Sequence, residues 1–316
     1  MTSAGPTSAG RALGALALAG AGALAWSLVE AQWYALREVT VPVLPAGQEP
    51  LRILHLSDLH LTPGQRRKVD WVRDLASLDP HLVVDTGDNW AHLDAMPALL
   101  DALEPHLARP GAFVLGSNDY FAPRAKNPAR YLLPDARGPH PERPVELPWR
   151  ELVARFSAAG WVDLTNRRDV LKVDGRVLSL VGTDDAHLDR DRFPAGGRDD
   201  DARTGPVPVD LHLGVTHAPY RRVLDAMHAD DVDLAIAGHT HGGQLAVPLW
   251  GALVTNCDLD TRRAKGLHGW PGPRPDRPGG AGSGWLHVSA GLGTSPYAPV
   301  RFACRPEATL LTLVAP

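Results

Sequence analysis

Side chains able to bind a cation recur at five places in this chain, each directly after a short apolar run. Leu51–Leu56 leads into Ser57-Asp58-Leu59-His60, and His81–Val84 leads into Asp85-Thr86-Gly87-Asp88. Gly111–Leu115 leads into Gly116-Ser117-Asn118-Asp119, Leu211–Val215 into Thr216-His217, and Val232–Ile236 into Gly238-His239-Thr240-His241. Imidazole and oxygen donors without a thiolate suit Mn²⁺, Fe, Zn²⁺ or Mg²⁺, with imidazole weighing against Mg²⁺. Asp58 and His60 stand two apart, as do His239 and His241, a spacing that lets both side chains reach one ion. The glycines around the second pair let backbone approach a metal or phosphate closely. Singly these signals are weak: Asp-x-His arises by chance, Gly-Asp is a common turn, and a lone histidine is more often structural. Together, Asp58, His60, Asp88, Asn118, His217, His239 and His241 point to a metal centre.

The elements around these residues explain how they would meet. Apolar runs alternate with helical patterns at Val69–Leu78 and Leu93–Leu103, which predicts a parallel α/β arrangement. In such a sheet the carboxyl ends of the strands line the ligand crevice. Further along, a helix is expected near Arg150–Ala159, and a hairpin turning at Asp174-Gly175 between Val170–Val173 and Arg176–Val181. A second helix is expected from Tyr220 to about His228, and β-like runs finish the chain.

Composition narrows the function. The 316 residues carry 32 basic and 36 acidic side chains, a formal charge of −4, which weighs against a dedicated nucleic-acid binder. Two cysteines, Cys257 and Cys304, exclude a disulfide-rich scaffold and a cysteine-based zinc cluster. The 31 glycines and 29 prolines imply much loop.

Ala12–Val29 is free of charge and long enough for a spanning helix, with Trp26, Trp33 and Tyr34 where an interfacial aromatic belt would lie. A retained anchor is favoured over a cleaved signal, because Glu30-Ala-Gln-Trp-Tyr34 offers no obvious cleavage site. The resulting division is a tail at 1–11, an anchor or signal segment at 12–34, a linker at 35–50 and a folded domain at 51–316. Arg11 ahead of the apolar run puts the domain outside the cytoplasm by the positive-inside rule, as a single-pass protein of the cell membrane.

The ordered motifs Ser57-Asp-Leu-His60, Gly87-Asp88, Gly116-Ser-Asn-Asp119, Thr216-His217 and Gly238-His-Thr-His241 resemble those of the calcineurin-like metallophosphoesterases. The likeness extends to the membrane-associated bacterial branch, which includes enzymes similar to UDP-2,3-diacylglucosamine hydrolases; Gly291-Leu-Gly293 and Pro306-Glu307 also fit that branch. The resemblance implies a four-layer αββα sandwich with two mixed sheets, preceded here by one N-terminal transmembrane helix. It also implies two divalent ions, with Mn favoured. Asp58, His60 and His241 would hold one, His217 and His239 the other, and Asp88 would bridge them. A hydroxide shared by the two ions would attack phosphorus in line.

The third motif departs from the family's usual Gly-Asn-His-Asp/Glu. Either Ser117 or Asn118 takes the ligand position, and Asn118 is favoured because an amide oxygen is the better neutral ligand. No histidine follows, so the usual proton donor to the leaving group is missing; His92, His187 and His212 are the alternatives considered. Asn89 and Arg124, with Lys126 and Arg130, are candidates for contacting substrate. The expected activity is hydrolysis of a lipid-linked or envelope phosphodiester or pyrophosphate. The competing readings are a non-catalytic metal-binding membrane protein of the same fold and a nuclease of the same superfamily.

Overall fold

The computed structural model describes residues 8–125, 144–197 and 208–316. Residues 1–7 of the tail lie outside the described residues, as do Lys126 and Arg130. The chain opens with helix α1 (Ser8–Glu30), of which Ala12–Glu30 is long and apolar enough to cross a membrane. Its side chains from Ala12 onward are almost all exposed, apart from Ser27 and Glu30.

Strand β1 (Ala35–Pro42) follows directly. It overturns part of the linker expectation for 35–50, because it pairs in parallel with β14 (Glu307–Val314) along its whole length. Alternation explains the pairing: Val39 and Val41 turn into the core while Glu38 and Thr40 turn out. Pro42 is tolerated because β1 is an edge strand.

The first sheet runs in the order β1-β14-β2-β3-β4-β5, with β2 (Leu51–Leu56), β3 (Leu82–Asp85), β4 (Gly111–Phe113) and β5 (Val162–Asp163) mutually parallel. Helices α2 (Arg66–Asp74) and α3 (Met96–Leu107) connect the first three of these, as the periodicity predicts. A single turn, α4 (Ser117–Tyr120), follows β4, and α5 (Trp149–Ala158) precedes β5.

The second sheet is built from β6 (Arg167–Val173), β7 (Arg176–Gly182), β8 (Leu211–Thr216), β9 (Leu234–Ala237), β12 (Gly266–Trp270) and β13 (Gly284–Val288), in the order β12-β13-β9-β8-β7-β6. Its centre is parallel and both edge pairs are antiparallel. Asp174 and Gly175 both adopt positive φ in the β6–β7 turn, as a two-residue hairpin loop requires. Helix α6 (Arg221–Ala229) links β8 to β9, and a small hairpin of β10 (Ala246–Val247) and β11 (Gly251–Ala252) stands apart.

Three apolar clusters order these layers. Leu54, Leu56, Val72, Leu99, Leu103 and Phe156 join the first sheet to α2, α3 and α5. Ile53, Val84, Leu180, Leu213, Ile236 and Leu311 fill the space between the sheets. Val223, Leu224, Met227 and Leu286 seat α6 on the outer face of the second sheet. The fold is a mixed α/β sandwich of two six-stranded sheets. The parallel strands β2, β3, β8 and β9 release their chains toward a common edge.

Candidate metal centre

All seven residues singled out by spacing come together at that edge. The loop after β2 lies along the loop after β3, with Asp58 N donating to Gly87 O and His60 N to Asp88 O, both at 2.9 Å. The loop after β9 meets that after β8 through Gly238 N donating to His217 O, also at 2.9 Å. Asp58, His60, Asp88, His239 and His241 all adopt positive φ between 42° and 68°. That conformation costs an L-residue about 1–2 kcal/mol, so the surrounding structure must hold the turns that aim these side chains. Two glycines make the approach possible. A Cβ at Gly238 would overlap Ser57 Oγ, and one at Gly116 would overlap Asp88 Oδ1.

One ligand atom from each of Asp58, His60, Asp88 and His241 lies within 4.8 Å of the other three. His60 Nε2 is 3.4 Å from Asp88 Oδ2, and His241 Nε2 is 3.5 Å from Asp58 Oδ1. On the other side of Asp88, His217 Nε2 is 3.6 Å from Oδ1, and His239 Nδ1 is 3.3 Å from His217 Nε2. Asn118 closes the group: its backbone N–H donates to Asp88 Oδ1 and its side-chain amide to Asp88 Oδ2, each at 2.7 Å. Ser117 Oγ is 3.5 Å from the Asn118 amide nitrogen and makes no hydrogen bond to Asp88.

The chemistry of these donors fits cations. His217 Nδ1 donates to Thr86 O at 2.7 Å and His239 Nε2 to Asn256 O at 3.1 Å. These bonds anchor one ring nitrogen of each histidine and turn the other toward the centre, the arrangement found around metal-bound histidine. His60 Nε2 and His241 Nε2 also face each other, at 3.1 Å. Ring nitrogens set against one another and against carboxylates are stabilised by positive charge among them.

The electrostatics agree. Burial pushes Asp58 up to about 6 against the pull of His217. Burial also raises Asp88, but His217, His60 and the Asn118 hydrogen bonds outweigh it and hold Asp88 below the usual carboxylate range. Burial lowers His60 to about 4 and takes His239 and His241 well below their ordinary value. His217 moves the other way, up to about 9, because Asp88, Asp185 and Asp58 overcome its burial. Its proton supplies positive charge that a bound cation would displace.

Two supporting residues, Asp119 and Arg301, were not singled out by spacing. Asp119 accepts hydrogen bonds from the backbone N–H groups of Asp88, Asn89 and Gly116 at 2.8–2.9 Å, locking two site loops together. Its place at the end of the Gly-Ser-Asn-Asp motif was the available hint. Arg301, fully buried, donates to the carbonyls of Ala290, Gly291 and Gly293 and approaches His241 Nδ1 to 3.5 Å.

The substrate-side expectations divide. Arg124 lines the cleft over the centre, together with Asn118, His187, His239, Gln244 and Asn256, a space of about 230 Å³. Asn89 does not join them: it is fully buried and its amide donates to Asp85 Oδ1 at 3.1 Å, so its side chain serves the loop interior. Of the three alternative proton donors, only His187 lines the cleft, with Nδ1 3.1 Å from the Tyr220 hydroxyl. His212 is buried against Asp230 at 2.8 Å, and His92 caps the turn before α3.

Comparison with known proteins identifies the family. The model of the calcineurin-like phosphoesterase family matches residues 51–243. The uncharacterized protein YpbG of Bacillus subtilis is 24% identical over 307 residues, covering 96% of both chains. The phosphodiesterase YaeI of Escherichia coli is 30% identical over 174 residues, 55% of each chain. The bovine transmembrane protein with metallophosphoesterase domain is 30% identical over 227 residues, 68% of this chain and 46% of that protein. The match thus spans about half the length of the latter two. The chain belongs to the calcineurin-like phosphoesterases, a family of metal-dependent hydrolases of phosphoester bonds.

Proposed function

We propose that this chain hydrolyses a lipid-linked or envelope phosphodiester or pyrophosphate at a centre for two divalent cations, Mn²⁺ favoured, from a domain anchored in the cell membrane by α1. One observation carries the reading: the two oxygens of Asp88 face two separate histidine groups, His60 with His241 on one side and His217 with His239 on the other. Asp58, His60 and His241 would hold one ion, His217 and His239 the other, Asp88 both, and Asn118 would be a further ligand. Half a turn of the Asn118 amide would present its oxygen where its nitrogen now lies.

When bound, two such cations supply an activated water and neutralise phosphoryl oxygens in an in-line displacement. The chain's own residues do the rest. Thr86 O and Asn256 O anchor the imidazoles of His217 and His239. Asp119 fixes the loops that carry Asp88 and Asn118. Arg124, at the cleft wall, meets an anionic group of the substrate. His187 stands in the cleft where the third motif lacks its histidine, and is the residue we assign to proton delivery to the leaving group. The Arg11 side of α1 faces the cytoplasm in this reading and the domain faces outward.

The test is turnover of an aryl phosphodiester by the metal-stripped full chain, with and without added Mn²⁺, followed by a lipid-linked phosphodiester. Mn²⁺-dependent turnover of both supports the reading. Turnover without metal, or none despite bound Mn²⁺, opposes it.

A further inference from the structure

The β10–β11 hairpin carries an apolar surface that the catalytic site does not use. Leu249 and Trp250 at its tip are 109% and 85% exposed, and Val247 and Leu253 beside them are also exposed. Leu249 holds a φ of 68°, a rare conformation for a bulky residue. Large apolar side chains gathered in water at a loop tip mark an interaction surface.

The segment 301–304 ties this hairpin to the end of α1. Arg301 N donates to Ser27 O at 3.0 Å, and the backbone N–H groups of Ala303 and Cys304 donate to the Glu30 carboxylate at 3.0 and 2.7 Å. The same segment supports the hairpin: Leu245 bridges Phe302, and Ala246 N donates to Phe302 O at 2.9 Å. Trp26 and Trp33, half exposed, stack edge to face at this end of α1, with centroids 6.0 Å apart. The Arg305 guanidinium lies 4.2 Å from the centre of the Trp33 ring. Arg262 and Lys265 line a groove together with Leu249 and Trp250. Gln244 and Leu245, at the base of the hairpin, line the catalytic cleft.

We propose that the β10–β11 tip inserts Leu249 and Trp250 into the headgroup boundary of the bilayer that α1 spans, with Arg262 and Lys265 against anionic phospholipid. The inference rests on reading α1 as a membrane-spanning helix. Its occupant is a lipid surface because continuity with α1, aromatic side chains and flanking cations are the features of an interfacial anchor. The docked hairpin sets the cleft wall beside the membrane surface, where a lipid-linked phosphoester resides.

The test uses the full chain in phosphatidylglycerol/phosphatidylcholine vesicles, with an environment-sensitive fluorophore on Leu249→Cys. The two native cysteines are buried. Lys172→Cys, on an exposed residue of β6, serves as the aqueous control, and Leu18→Cys reports insertion of α1. The account expects blue-shifted emission at position 249, quenching by lipid-borne nitroxide and protection from iodide. That quenching should weaken in pure phosphatidylcholine or in Arg262→Gln/Lys265→Gln. Lipid quenching at position 18 with free iodide access at 249 overturns the hairpin proposal and leaves the anchor standing. Absence of lipid quenching at both positions overturns the two together. Iodide protection at 249 without lipid quenching overturns it as well, and points to a protein cover. None of these readings depends on catalysis.

Discussion

Asn118 holds both oxygens of Asp88 at once, Oδ1 through its backbone N–H and Oδ2 through its side-chain amide, each at 2.7 Å. Ser117, the other candidate at this position, makes no such contact with Asp88. Asn118→Ala should therefore lower Mn²⁺-dependent turnover by at least about 10-fold, as loss of a group that orients a ligand does. Ser117→Ala should leave turnover within a few-fold. Steady-state kinetics at saturating Mn²⁺ checks both, and the reverse order of effects would move the ligand role to Ser117.

His187 differs from His92 and His212 in where it stands, not in type. Its ring centroid is 4.7 Å from that of His239, and it lines the cleft. A group that protonates a leaving oxygen matters most when that oxygen is basic. His187→Gln should slow an alkyl phosphodiester by roughly 10²-fold and an aryl phosphodiester only slightly. Equal losses on the two substrates would assign His187 to positioning of the site.

Gly238 keeps the room in which Asp58 sits, since a Cβ there would overlap Ser57 Oγ and press on Asp58 Oδ2. Gly238→Ala should weaken Mn²⁺ binding in titration calorimetry while the circular dichroism spectrum stays that of the parent. Unchanged affinity would show that Asp58 does not require this position.

Lys68 lies outside the site, 4% exposed, with Nζ donating to Leu59 O at 2.8 Å. Burial lowers it to about 7 from 10.5, with Arg301 adding to the shift. Between those values the unfolded chain holds a proton that the folded chain does not, so stability rises with pH across that window. Below about pH 7 both states are charged and the dependence ends. In Lys68→Met this part of the slope should vanish in denaturant unfolding followed from pH 7 to 10.5. A slope equal to the parent's would contradict the assignment.

Much of the centre was legible in the sequence because its donors follow apolar runs, and the ends of neighbouring parallel strands must lie together. Asp58, His60, Asp88, His217, His239 and His241 are placed by this rule alone. Side-chain direction was less legible. Asn89 adjoins Asp88 but turns inward to Asp85, because one step along a tight turn reverses the direction of a side chain. Choosing among His92, His187 and His212 required tertiary contacts, since each lies in a different loop or strand. Arg301 was invisible for a similar reason: its partners are carbonyls, which have no sequence signature. β1 was hidden by Pro42, Pro45 and Gly47, whose turn chemistry outweighs a short alternation when strand position is unknown.

The central claim is that one carboxylate, Asp88, serves both groups of histidines. The most direct test measures bound Mn²⁺ per chain and turnover of an aryl phosphodiester in the full chain and in Asp88→Asn. The account predicts two ions per parent chain with metal-dependent turnover. In the variant it predicts an intact fold, fewer bound ions and no metal-dependent turnover. Parental turnover and metal content in Asp88→Asn would contradict it.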